Sequence, residues 1–362
     1  MLTKAAPSKD RLFSFKLAKL ITIASLMLAL FACENEPNKA PAPSEAQINK
    51  SQPAAVNSDS KSTSLPPSIR SPLTTRYLSL ASQQFRATCT HAKQLQTSIQ
   101  LFLSKPNKKT LDDTKQQWLT SHNSYAASKL FRILNIKHPE LDRSQIDPVK
   151  HSLAIRIDQS PLLAGYLDAV EGYPQSGYVF SPIPINEETL NKEHQFSDTL
   201  YVTLGFHAIE FLLWGENNEQ ARESTDYAAL SVIDKDPELV QARRSQLLLL
   251  ITKLLIKDLD LQCHEWQQAE DYYPSHLTAH PEEAQNEYIV AAVKQLLSDI
   301  QINSTQIKNA TEQHSAFAHS DQQDLQAQIK VFKSLLDSKE WKELSEKQER
   351  VKSITTLAKA LH

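Results

Sequence analysis

His207 and Glu210 stand three residues apart inside Leu200–Trp214, LYVTLGFHAIEFLLW, where eleven of fifteen residues are aliphatic or aromatic. On a helix, that spacing sets the two side chains on one face. Apolar residues occupy every face, so the helix is expected to be buried all round. A carboxylate in such surroundings is costly unless it is paired, neutralised or bound to a metal. An imidazole and a carboxylate at i, i+3 can give two ligands to one ion, a geometry that bundle metal sites use in the order Glu-x-x-His. The same two groups can instead satisfy each other through one hydrogen bond, and on these residues alone both readings stand.

Two donors do not make a metal site, so others must come from elsewhere in the chain. Asp168 and Glu171 lie at the start of the irregular stretch EGYPQSGYVFSPIP (171–184), and His122 shares a segment with Trp118. Taken singly, each is more commonly a surface or capping residue, and the same discount applies to His314 and His319. Gly205 lies two residues before His207, about 200° round a helix. It faces away from the stripe of Leu200, Thr203, His207, Glu210 and Trp214. It is expected to admit a close neighbour, against a helix cost of about 1 kcal/mol.

Hydrolase motifs are incomplete. H-E-x-x-H needs Glu beside the first His and a second His at i+4, but HAIEF places Glu at i+3 and Phe211 at i+4. The inverted H-x-x-E-H also fails at Phe211. HEWQQ (264–268) begins like the first motif and ends on Gln268. There is no G-x-S-x-G, no P-loop and no C-x-x-C-H haem attachment. A peptidase would have to assemble its ligands and base from distant residues.

The elements that carry these residues read as helical. The five glycines (165, 172, 177, 205 and 215) fall within one short window, and the remainder is rich in Leu, Ala, Gln, Lys and Glu. Strands need glycine-bearing turns and β-branched runs, which are scarce. Periodicity predicts helices near 74–104, 110–135, 147–171 (broken near Pro161) and 187–214. Others follow near 236–273, 282–304, 305–316, 321–337 and 341–361, with a break at 273–281. Asp236-Pro237 suits an N-cap and first-turn pair. The fold class is all-α, with two packed bundles (four-plus-four) dividing at about 215–236.

The N-terminus speaks to location. Lys16 and Lys19 precede a short apolar run, Leu20–Ala32, of signal-peptide length. It ends in LFAC, which resembles a bacterial lipobox with Cys33 as the lipidated residue. Acyl chains would anchor the protein without a membrane-spanning helix. Glu34 rather than aspartate follows, which leans toward the outer membrane. Residues 34–72 hold seven of the 18 prolines and almost nothing apolar, so they read as a disordered tether. Such a chain spans about 35 Å on average. The folded part is then 73–362, on the periplasmic side of the envelope.

The net charge is −3, and loss of the basic segment 1–33 leaves the remainder near −7, which argues against nucleic acid as a partner. With Cys33 assigned to lipid, Cys89 and Cys263 remain for an oxidising compartment, each on an apolar helical stripe. They are a possible disulfide or two buried thiols.

GFHAIEFLLWG (205–215) resembles the G-x-H-x-x-E signature of the imelysin-like family of bacterial envelope proteins. Gly205, His207 and Glu210 fall on its fixed positions, with Ala208, Ile209 and Trp214 in the usual setting. LDDTKQQWLTSHNSYAASKLFRI (111–133), YLDAVEGYPQSGYVFSP (166–182) and the helix ending in CHEWQ are similar to its flanking segments. HSAFAHSDQQDLQ (314–326) is suggestive. The resemblance covers roughly 75–270 and implies two helical bundles with the signature near their junction. It also implies a link to iron regulation and a grouping with metallopeptidases. It favours His207 and Glu210 as metal ligands, with Gly205 and Trp214 supporting; Asp168, Glu171 and His122 stay weak candidates for a third donor. The expected cofactor is iron or another divalent metal, and the expected partner a metal ion or iron-containing ligand. The alternatives are an atypical metallopeptidase and a helical binding or adaptor protein whose His–Glu pair is structural.

Overall fold

Ser71 opens the first helix. Its hydroxyl accepts from the Thr74 N–H at 2.9 Å, and Pro72 sits in the first turn, where its missing N–H costs nothing. Ser71 is also buried, with its N–H donating to Gln285 and its hydroxyl hydrogen-bonding Asn286. Residues 71 and 72, expected at the end of the tether, belong to the capped start of this helix. The computed structural model describes residues 70–134, 153–216, 221–309 and 313–361. The expected signal segment, Cys33 and residues 34–69 of the tether lie outside them.

The helices are α1 (Pro72–Ser104), α2 (Lys108–Ala127), α3 (Lys129–Arg132), α4 (Leu153–Asp158) and α5 (Ala164–Leu167). Next come α6 (Glu187–Glu193), α7 (Gly205–Trp214), α8 (Leu230–Ile233), α9 (Val240–His264) and α10 (Tyr272–Thr278). Last are α11 (Glu282–Asn309), α12 (Asp321–Leu336), α13 (Lys339–Lys347) and α14 (Glu349–Ala358). No strand occurs among the described residues, so the class is all-α as expected. The central helix α1 packs on α2 and α9, α12 packs on α2, and α7 lies against α9. Helices from both sides of residues 215–236 share one compact unit and one apolar core, so no break in packing marks a boundary there. Among the described residues no helix is long and apolar enough to cross a membrane.

Several expected boundaries move, each for a local reason. The helix expected over 187–214 is two helices. Asn186 and Thr189 cap the first reciprocally. The chain then leaves it at His194, whose Nδ1 accepts the Thr203 N–H at 3.2 Å, while the Thr203 hydroxyl donates to Leu190 O. Asp236 does not cap α9: its N–H donates to Val232 O and closes the turn after α8. The break expected at 273–281 contains α10, because Pro274 falls in a first turn. The helix expected over 305–316 is replaced by the end of α11 and an irregular segment, 313–320, in which His319 has φ 53°. The last predicted helix divides at Gln348.

Cys89 and Cys263 form a disulfide that ties α1 to α9 across 174 residues of chain. Closing a loop of that length in the unfolded chain is worth about 5 kcal/mol on a chain-entropy model.

Gly205 is the first residue of α7 rather than an interior one, with φ +87°. A Cβ at this position would lie 2.5 Å from Ile157 O and 2.6 Å from Arg156 O, carbonyls in the last turn of α4. The close neighbour expected of Gly205 is thus the α4 backbone, and the contact carries Asp158 to the start of the helix that bears His207. Gly205→Ala should lower unfolding free energy by roughly 2–4 kcal/mol, from left-handed backbone strain and a clash with backbone that cannot rotate away. Urea unfolding of the two proteins measures this.

Candidate metal centre

Four side chains from four segments converge beside Gly205: His122 from α2, Asp158 from the end of α4, His207 from α7 and His314 from the irregular 313–320 segment. One donor atom from each can be chosen so that all lie within 4.8 Å of one another. Asp158 Oδ1 is the common point. It lies 2.9 Å from His122 Nε2, 3.2 Å from His207 Nε2 and 3.4 Å from His314 Nε2, and the last two nitrogens are 3.1 Å apart. Bonds of 2.0–2.1 Å from a tetrahedral ion put neighbouring ligand atoms about 3.4 Å apart. These four separations are close to the edges of such a polyhedron, and the donor set is all nitrogen and oxygen. The residues present therefore fit a divalent metal.

Each donor is held from behind. His122 is fully buried and stacks on Trp118, ring centroids 4.7 Å apart, while Trp118 Nε1 donates to Phe206 O at 3.0 Å. Trp214 packs edge-on to Trp118 at 5.3 Å, so its support reaches the site through that ring. Arg156 fixes α4 by donating to Asp258 and Asn191 at 3.0 and 2.7 Å. The His314 segment is tied down by Asp321 Oδ1, which accepts from the N–H groups of His314 and Ser315, and by Ser160, whose hydroxyl donates to His314 O.

Glu210, expected as a ligand beside His207, lies outside the four-residue group and behind the His207 ring. Its Oε2 sits 2.6 Å from His207 Nδ1, on the side of the imidazole away from the cluster. Its Oε1 accepts from the N–H groups of Phe317 and Ala318 at 2.9 and 2.7 Å. Three hydrogen bonds thus satisfy a carboxylate with no solvent exposure, and the expectation that the pair satisfies itself is met on the Nδ1 side only. A carboxylate on Nδ1 fixes which nitrogen of His207 is free to ligate and raises its basicity.

Of the proposed third donors, His122 joins the cluster and two do not. Asp168 is buried in a pair of arginines, with Arg244 Nε at 2.5 Å and Arg222 Nη2 at 3.0 Å, and braces the loop against α9. Glu171 is exposed. His314 belongs to the site, whereas His319 turns to Gln313. Asp158 was missed. It has no ligand spacing to any neighbour in sequence, and its partners lie 36 and more residues away.

The electrostatics favour charge separation. Burial opposes protonation of His207, but hydrogen bonds to Asp158 and Glu210 outweigh it and push its pKa up to about 9. Burial likewise opposes the His122 imidazolium, and the Asp324 and Asp158 carboxylates hold its pKa well above the usual range. For Asp158, burial favours the neutral acid, yet the surrounding imidazoles hold it well below the usual carboxylate range. His122 Nδ1 lies 3.2 Å from Asp324 Oδ2, an ion-pair contact that does not complete a hydrogen bond.

The family model for Imelysin matches residues 81–360 of the chain, a span containing all four donors and Glu210. The chain belongs to the imelysin family. The label of that family model places it among the peptidases. No curated protein matches the chain. Within this imelysin protein the signature residues divide their work: Gly205 admits α4, His207 faces the cluster, and Glu210 holds His207.

In the metal-free protein the raised His207 pKa adds stability that is complete below about 6.5, the unfolded value. That contribution is lost as pH rises through about 9. An NMR titration of the His207 ring should show a midpoint more than one unit above that of a free histidine; an ordinary midpoint would contradict the described contacts.

Proposed function

We propose that this protein is an envelope lipoprotein, tethered through Cys33 and facing the periplasm from the outer membrane, that binds a divalent metal in iron acquisition. The convergence of three imidazole nitrogens on one carboxylate oxygen carries the metal reading, with His122, Asp158, His207 and His314 as ligands. A donor set of imidazole and carboxylate without thiolate suits iron and zinc alike. The choice of iron is supported by the G-x-H-x-x-E resemblance. Location rests on the charged and apolar pattern before Cys33.

Metal analysis of the purified protein tests this reading. His207→Ala and Asp158→Ala should each lose bound metal at least tenfold. Glu210→Gln should weaken binding about 10- to 100-fold while leaving the ligands in place, because an amide facing Nδ1 moves the ring proton to the ligating nitrogen. Ligation displaces protons, so affinity should rise between pH 6 and pH 8, with protons released to buffer in calorimetry. Unchanged metal content in all three variants would remove the site.

A second reading, metallopeptidase, draws on one observation. A cavity of about 540 Å³ opens beside the cluster, where His314 is 45% exposed and reachable by a substrate. A bound ion would supply Lewis-acid polarisation there. Chelator-sensitive cleavage of a peptide library, abolished in Asp158→Asn, would favour this reading over uptake.

A further inference from the structure

We propose that the cavity beside the metal cluster is a ligand site. It would take a small carboxylate-bearing molecule that also offers N–H or O–H donors, with its inner end at the cluster and its carboxylate on Arg132. The inner end rests on the metal reading; the Arg132 end does not.

His122, Ala126, Lys129 and Arg132 all line this cavity. Their spacings of four, three and three residues form one stripe along α2 and α3. The Arg132 Cα is ten residues beyond His122, but its guanidinium folds back over the Tyr125 ring, toward His122. One wall thus carries a nitrogen donor of the cluster and a guanidinium on the same stripe.

Among the described residues, Arg132 is held in place but has no ion-pair partner. Its guanidinium carbon lies 3.9 Å from the Tyr125 ring centroid. Its Nε donates to the Ser128 hydroxyl at 3.0 Å, with Nη2 at 3.5 Å from Tyr125 O. Among the described residues it meets no carboxylate, unlike Lys129, which pairs with Asp299 at 3.1 Å. A guanidinium held flat with terminal N–H groups to spare is suited to bidentate capture of a carboxylate.

The cavity lining from α12 includes two buried acceptors. Gln328 is 8% exposed and Asp324 5%, and both line the cavity. Gln328 Oε1 and Asp324 Oδ1 have no hydrogen-bond partner among the described residues. Both oxygens are shielded from solvent as they stand; turned into the cavity, each would gain by meeting a ligand N–H or O–H group. A hydroxycarboxylate chelator of metal ions and the C-terminus of a short peptide both offer this chemistry, and about 540 Å³ suits either.

Calorimetry on metal-loaded full-length protein separates the possibilities. The probes are citrate and tri-alanine with a free or amidated C-terminus. The wild type should bind at least one carboxylate probe. Arg132→Gln should weaken that binding at least tenfold, with metal content and thermal unfolding unchanged, and Arg132→Lys should recover part of it. If tri-alanine binds, amidation should abolish its binding, and if citrate alone binds, the source is a chelate. Equal affinity in wild type and Arg132→Gln, or no binding of any probe, would overturn the proposal. Metal is measured on the same samples, so a metal-free protein that still binds carboxylate through Arg132 would overturn the metal centre and keep the arginine subsite.

Discussion

The site depends on the space left at Gly205. The backbone of α4 approaches so closely that a Cβ would sit 2.5 Å from Ile157 O. Only glycine combines that approach with φ +87°. The next residue along α4 is Asp158 and the second residue along α7 from Gly205 is His207, so one backbone contact sets two donors face to face. His122 reaches the same point from α2, held by Trp118, which is itself anchored to Phe206 O in the first turn of α7. The start of α7 is therefore the junction through which three of the four donors are registered.

The fourth donor depends on Glu210. A buried carboxylate is tolerated only when its oxygens are engaged, and here one oxygen serves His207 while the other holds the N–H groups of Phe317 and Ala318. The same side chain orients one imidazole and pins the segment that delivers another. His207 and His314 are 107 residues apart in sequence, yet their Nε2 atoms are 3.1 Å apart. The i, i+3 spacing of His207 and Glu210 thus serves a ligand and its brace.

Much of the fold was legible from local pattern. The all-α class follows from glycine scarcity and apolar periodicity, and α1 and α12 fall within two residues of where periodicity put them. The split of 187–214 was not legible, because the hydrogen bonds between His194, Thr203 and Leu190 compete with continued helix only once the chain has folded back. At the site, His207 was legible as one polar residue in an apolar run. Asp158 was not, because a carboxylate at the end of a six-residue helix looks like any helix-end residue until α7 arrives. The setting of Asp168 was legible only in part. Its place beside a functional-looking loop is real, but two arginines from later in the chain neutralise it.

X-ray absorption spectroscopy of the metal-loaded protein reads the first coordination sphere directly. Three imidazoles and one carboxylate oxygen at about 2.0–2.2 Å are predicted, the values expected for such donors on zinc. Conversion of Glu210 to Gln should leave the number of carboxylate oxygens unchanged. A sphere with a single imidazole, or one that loses its carboxylate oxygen in Glu210→Gln, would contradict the assignment of Asp158 as ligand and Glu210 as brace.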